Sequence, residues 1–164
     1  MNADHLDPAE QEVVDHIRDH GCHVMHVFDD TGDYPDFSYS IGFPVTVGQP
    51  EVIVFSLKRE LRHFIVNEVL RQCSAGLRLA DGMRISGLLE SFECTVRHVG
   101  DAEAIREHFG WAIWYHSTIR RTHLTEAYQL VWPGAVQGLF PWEEGCDADV
   151  SELQPPLYDV RQAA

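Results

Sequence analysis

Hydrophobic and polar residues follow two periods along this chain, and each period predicts one type of element. Residues 22–28 contain β-branched and aromatic residues, and residues 36–42 alternate between apolar and polar beyond a turn rich in Asp, so we expect a β-hairpin. Residues 51–57 form an almost unbroken apolar run, which predicts a central strand covered on both faces. Alternation over 92–98 predicts a fourth strand, and a last strand is expected over 127–132, ended by Pro133.

A helix precedes the first strand. Asp7, Pro8 and Glu10 are the residue types of a capping box with proline in the first turn. We therefore expect a helix from this cap to about His20, ended by Gly21 in the left-handed conformation.

Two further helices are predicted between the strands. The first covers 58–75, and the second follows an N-cap near Asp101. The apolar stripe of the first consists of Leu61, Phe64, Ile65, Val69 and Cys73, and that of the second of Ile105, Phe109, Ala112 and Ile113. Strands interleaved with few long helices are typical of an α+β fold. We expect a mixed, mainly antiparallel sheet of about five strands, with two to three helices packed on it.

The length of 164 residues fits a single domain, with a core of about 8–146 and an extended carboxy-terminal tail over 147–164. No apolar run approaches the roughly 20 residues of a membrane-spanning helix, and the acidic amino end lacks the pattern of a secretory signal. The four cysteines are widely spaced, which favours reduced thiols over a disulfide framework. We therefore expect a cytoplasmic protein with no membrane association.

The net charge of −14 limits the classes of molecule that this protein is expected to bind. It disfavours nucleic acids and anionic lipids, whose phosphates would be repelled, and it favours a basic protein partner. The alternative is that the acidity serves solubility alone.

Several segments occur in an order that resembles a known family. They are residues 19–27, 37–42, 49–55, 114–115, 129–133 and 138–143. Together they resemble the bacterial family designated domain of unknown function 4262 (DUF4262), over about residues 10–157. Cys22 stands where an aromatic residue is common in that family, and Ser40 where threonine is common. The resemblance implies a shared fold and a cytosolic setting, and it implies no particular activity.

Histidine is abundant, with ten copies, and four of them lie within eleven positions. His16 and His20 share one face of the predicted helix, which is a two-ligand spacing for zinc. His23 and His26 point to opposite faces of the following strand, so the four cannot form a simple cage. We expect no metal, with His16 and His20 as weak candidates, and the alternative is solvated or hydrogen-bonded histidines.

Known catalytic and cofactor motifs are missing. Ser38–Gly42 resembles the second half of a nucleophile elbow, but the glycine two places before the serine is absent. The glycines are isolated and form no phosphate-binding loop, so no cofactor is expected.

Aromatic residues in the second half suggest a contact surface. Their rings combine apolar area with hydrogen-bonding ends, which suits binding sites, and the alternative is that they fill the core. The candidate binding residues are Trp114, Tyr115, Trp132, Phe140, Trp142 and Glu143. The proline-stiffened loop 140–144 is the best candidate for direct contact.

Two functional hypotheses follow. The first is an acidic binding protein, of the immunity or antitoxin kind, that engages a basic protein partner. The second is a small enzyme acting on a polar small molecule, with His26 or Glu51 as general base and Tyr39 or Gln129 orienting the substrate. The pattern does not indicate an oligomeric state.

Overall fold

The computed structural model describes residues 5–162, which form one mixed sheet of six strands. The strands are β1 (His23–Val27), β2 (Phe37–Ile41), β3 (Glu51–Phe55), β4 (Arg84–Ile85), β5 (Cys94–Val99) and β6 (Ala127–Val131). Their order is β1-β2-β3-β6-β5-β4, so β1 and β4 are the edges. Only the β3–β6 pair is parallel among these neighbours. The α+β class is confirmed, with six strands instead of about five because the two-residue β4 is too short to show a period.

Within the same residues there are six α-helices, more than the two to three expected. They are α1 (Pro8–His20), α2 (Phe43–Thr46), α3 (Arg59–Ser74), α4 (Ala102–His108), α5 (Gly110–Trp114) and α6 (Ala148–Glu152). The predicted third helix is interrupted at Phe109, whose backbone leaves the helical region at φ −113° and ψ 35°. A π-helical turn, Tyr115–Ile119, follows α5. The helices α2 and α6 are too short for helical periodicity to be visible in the sequence.

The first helix begins and ends as its sequence predicts. The Asp7 side chain accepts from the Glu10 N–H at 2.8 Å, and the Glu10 side chain accepts from the Asp7 N–H at 3.0 Å. Gly21 ends the helix at φ 95°, where its N–H donates to the Ile17 carbonyl. This reciprocal cap is worth about 1 kcal/mol of helix stability.

Helices cover both faces of the sheet. On one face α3 packs Ile65, Val66 and Val69 against Val52 and Val54 of the central strand. On the other face α1, α4 and α5 pack against a second cluster, which includes Tyr39, Ile41, Ile53, Phe55 and Phe109. The predicted stripe of α3 was wrong at Phe64, which is 49% exposed. Val66 and Leu70 take its place in the buried face.

The carboxy-terminal segment was predicted as an extended tail, and it instead contains α6 and packs on the sheet. The Gln154 amide donates to the Trp132 carbonyl at 2.8 Å and accepts from the Trp132 N–H at 2.9 Å. The Gln129 amide accepts from the Leu157 N–H at 2.9 Å and donates to the Pro155 carbonyl at 3.1 Å. Two glutamines therefore hold this segment along β6. Within residues 5–162, no helix combines the length and the hydropathy needed to cross a membrane.

Candidate functional site

The four residues predicted as catalytic do not face one another. Strand alternation places His26 on the α3 side of the sheet, with Val24. Glu51 shares a strand face with Ile53, and Gln129 shares one with Ala127. Both faces are on the side of the sheet that contains Tyr39. The sheet itself therefore separates His26 from the other three.

Glu51 is fully buried, and its carboxylate accepts four hydrogen bonds. Oε1 accepts from Ser40 Oγ at 2.7 Å and from the Phe43 N–H at 3.0 Å. Oε2 accepts from the Gly42 N–H at 2.7 Å and from His116 Nε2 at 2.8 Å. These donors come from β2, the start of α2 and the π-helical turn. Glu51 therefore connects these three elements to β3.

Tyr39 and Gln129 are also buried and hydrogen-bonded. The Tyr39 hydroxyl accepts from the Trp111 N–H at 3.0 Å, and burial raises the pKa of Tyr39 to about 12. Both ends of the Gln129 amide hold the carboxy-terminal segment, as described above. The polar atoms of these two side chains therefore position other parts of the chain.

Five of the ten histidines line one open groove of about 540 Å³, which we call the histidine groove. They are His16 and His20 of α1, His23 and His26 of β1, and His63 of α3. Glu12, Cys22, Val24, Arg59 and Asn67 complete its lining. No local sequence pattern links His63 to this cluster, because it lies 37 positions beyond His26.

The histidines of β1 each pair with a histidine from a different helix. His23 Nδ1 lies 2.7 Å from Nδ1 of His16 on α1, and His26 Nε2 lies 3.3 Å from Nδ1 of His63 on α3. The prediction that His23 and His26 point to opposite faces is consistent with these pairs. The groove therefore curves around the edge strand.

A buried serine, Ser38, contacts the His26 ring on the side away from His63. His26 Nδ1 lies 2.6 Å from Ser38 Oγ, and Ser38 is fully buried, so this serine is not accessible as a nucleophile. Burial, followed by the charges of Arg59 and His63, lowers the pKa of His26 to about 4. Burial also lowers the pKa of His23. Both imidazoles are therefore neutral at pH 7.

Arg62 is a buried cation that no sequence pattern indicates. Its Nη1 donates to the carbonyls of Ser56 at 3.1 Å and Leu57 at 2.8 Å, two residues with φ of 56° and 61° between β3 and α3. Its Nε donates to Ser38 Oγ at 2.7 Å. Positive φ is unfavourable for residues other than glycine. Arg62 therefore stabilises this turn and positions the serine behind His26.

His16 and His20, the weak metal candidates of the sequence, lie side by side on α1. Their ring centroids are 5.8 Å apart and tilted by 57°, and Nδ1 of His16 contacts His23 instead. Within residues 5–162, no group of three or more His, Cys, Asp or Glu side chains is arranged as a ready metal site.

The predicted binding residues separate into a buried and an accessible group. Tyr115, Trp132 and Phe140 are buried in the core, and Trp132 Nε1 donates to the Phe55 carbonyl at 2.9 Å. Trp114 is half-buried and packs edge-on against Trp111, with centroids 5.7 Å apart. These residues therefore act mainly in packing.

Trp142 belongs to an open apolar groove of about 380 Å³, which we call the Trp142 groove. It is lined by Pro141, Trp142, Ser151, Gln154, Pro156, Tyr158 and Val160. The Trp142 ring stacks on Phe140 at 5.1 Å and meets Tyr158 edge-on at 5.9 Å. The Glu143 carboxylate accepts from the Phe140 N–H at 2.9 Å, which stabilises the loop. The predicted loop 140–144 therefore contributes to an accessible surface.

An acidic depression of about 610 Å³ adjoins the Trp142 groove and shares Pro156 and Tyr158 with it. Its lining includes Asp81, Asp101 and Asp159, and Asp159 also pairs with Arg161 at 3.1 Å. The depression also contains Arg97, which is 7% exposed, lies 3.5 Å from Asp81 and packs under the rings of Trp142 and Tyr158, 5.2 Å and 5.6 Å from their centroids.

The chain around these two sites is strongly acidic. No lysine or arginine occurs between Arg121 and Arg161, whereas residues 143–159 contain six acidic residues. They are Glu143, Glu144, Asp147, Asp149, Glu152 and Asp159. This segment therefore contributes six of the 26 acidic residues of the protein and contains no lysine or arginine.

Comparisons with known proteins give one match. No curated protein and no solved structure matches the chain. The model of the DUF4262 family, described as a domain of unknown function, matches residues 16–147 of the 164. The resemblance inferred from the ordered segments is confirmed, and the chain belongs to the DUF4262 family.

Proposed function

We propose that this protein binds an extended basic segment of a protein partner across the Trp142 groove and the acidic depression. An apolar or proline side chain of the partner occupies the groove, and a lysine or arginine side chain enters the depression. The observation that carries the proposal is the junction of the two sites at Pro156 and Tyr158.

The groove has the chemistry that extended peptides use. Aromatic and proline side chains form docking surfaces for proline-containing segments, and large rings supply most of the binding energy at interfaces. Its rings already accept a guanidinium, because Arg97 packs on Trp142 and Tyr158 from inside the protein.

The charge around the groove favours a basic partner and opposes an acidic one. Complementary charge accelerates association and loses this effect as salt screens it. The four cysteines are free thiols, which supports a reducing compartment such as the cytoplasm as the place of binding.

The alternative of a small enzyme has less support. Tyr39, Glu51 and Gln129 are buried and hydrogen-bonded to other parts of the chain, and His26 lies on the opposite face of the sheet. A general base must reach its substrate, and these positions offer no common approach.

Fluorescence anisotropy with a labelled peptide tests the proposal. The probe is a fluorescein-labelled repeat of Pro-Leu-Pro-Arg, and the matched control peptide has Glu in place of Arg. We expect binding of the basic peptide alone, weaker at 500 mM than at 50 mM NaCl, and weakened about 30-fold by Trp142→Ala, as expected for loss of an aromatic anchor.

Two charge variants locate the acidic contact. Asp159→Asn removes a carboxylate from the depression, whereas Asp30→Asn removes one from the exposed β1–β2 loop, which lines neither site. We expect slower association and a smaller salt dependence for Asp159→Asn alone. Equal binding of both peptides, or full binding by a folded Trp142→Ala protein, refutes the proposal.

A further inference from the structure

The histidine groove is separate from the residues proposed to bind a basic segment. Imidazole nitrogen is a preferred ligand of divalent transition metals, and this groove presents five imidazoles from three elements. We propose that the histidine groove binds a zinc ion, with His26 Nε2 and His63 Nδ1 as its protein ligands.

The spacing of these two nitrogens fits a tetrahedral ion. Zinc–nitrogen bonds are about 2.0–2.1 Å long, so two nitrogens on one tetrahedral zinc lie about 3.3–3.4 Å apart. His26 Nε2 and His63 Nδ1 are 3.3 Å apart, and they come from β1 and α3, two elements fixed in the same core. An ion therefore requires only small rotations of the two rings.

His16 and His23 form a direct hydrogen bond and are not a pair of metal ligands. Their Nδ1 atoms are 2.7 Å apart, which is the distance of a direct N–H···N hydrogen bond and too short for two ligands of one tetrahedral ion. This pair closes the groove on the α1 side, so the ion belongs on the α3 side.

The structure also contains the outer contacts that metal-binding histidines need. A ligating imidazole is normally oriented by a hydrogen bond at its other nitrogen. His26 Nδ1 lies 2.6 Å from Ser38 Oγ, and Arg62 Nε holds that oxygen at 2.7 Å. With Nδ1–H donating to Ser38, the lone pair of Nε2 points into the groove.

The remaining coordination positions face the open groove. The Cys22 thiol is buried and donates to Asn67 Oδ1 at 3.8 Å, so another side chain already engages it. Water therefore completes the coordination, which makes the ion exchangeable and leaves a position for a further ligand.

Zinc titration of the full chain after chelator treatment tests this site. Isothermal titration calorimetry with zinc chloride measures affinity, and the ring ¹⁵N shifts of histidine identify the ligating atoms. We expect one ion per chain, with shifts at His26 Nε2 and His63 Nδ1. His63 is exposed, so His63→Gln leaves the core intact and lowers affinity at least tenfold.

The matched control is His123→Gln, which removes an exposed histidine outside the groove. We expect its zinc affinity to equal that of the unmodified protein. Absence of binding heat, ligand shifts at other histidines, or wild-type affinity in His63→Gln overturns the assignment. The peptide-binding measurements are made without zinc, so the two proposals stand or fall separately.

Discussion

The Glu51→Gln variant gives the sharpest distinction between a structural and a catalytic role for this residue. An amide keeps one acceptor oxygen and replaces the other with a donor, so two of the four hydrogen bonds at Glu51 are lost. Hydrogen bonds to a charged group are worth about 1.5–3 kcal/mol each, so we expect a loss of about 3–6 kcal/mol. That is a large part of the stability of a typical domain.

Urea unfolding followed by tryptophan fluorescence measures this loss. With a slope of about 2 kcal/mol per M, the midpoint falls by about 1.5–3 M. Glu103→Gln is the control, because this glutamate is exposed in the first turn of α4, and we expect a change within about 0.5 kcal/mol. A Glu51→Gln midpoint equal to that of the control would refute the structural role.

Three further predictions concern other buried groups. Ellman's reagent at pH 8 should label the half-buried Cys146 first and leave Cys22 and Cys94 unlabelled in the folded protein. The reason is that burial raises the pKa of each of these two thiols to about 12. Equal labelling rates of the three thiols would contradict this. Gln154→Ala leaves the Trp132 N–H and carbonyl without partners, so we expect a loss of about 1–3 kcal/mol and faster proteolysis after residue 147, measured against Gln137→Ala at an exposed position. Burial raises the pKa of Tyr39 to about 12, so its contribution to stability is complete below about pH 10 and declines as the pH rises from about 10 to 12. Urea midpoints between pH 9 and 11 should fall less steeply in Tyr39→Phe, and parallel curves would contradict the reasoning.

The elements that sequence predicts well are those whose signals are local. The α1 cap depends on Asp7 and Glu10 within one turn, and β3 depends on five consecutive buried residues. The break at Phe109 is different, because residues on both sides of it keep helical periodicity. Periodicity reports which side chains are buried, and it does not report a single backbone turn away from the helix.

The candidate sites show the same limit at longer range. Strand alternation is enough to place His23 and His26 on opposite faces of β1. The contact between His26 and His63 depends on α3 packing next to β1. No local sequence pattern predicts this packing. Tyr158 was assigned to an extended tail, and its place beside Trp142 depends on hydrogen bonds from Gln129 and Gln154 across the chain.

The position of β1 at one edge of the sheet has a consequence for self-association. An exposed edge strand invites backbone pairing with a second molecule, and short or polar edges prevent this. At the opposite edge β4 has only two residues, and at β1 the contacts of His16 and His63 enclose the strand from both faces. A second copy adding a strand at β1 would bury these imidazoles away from water. We therefore expect the sheet to resist the edge-to-edge pairing that leads to aggregation.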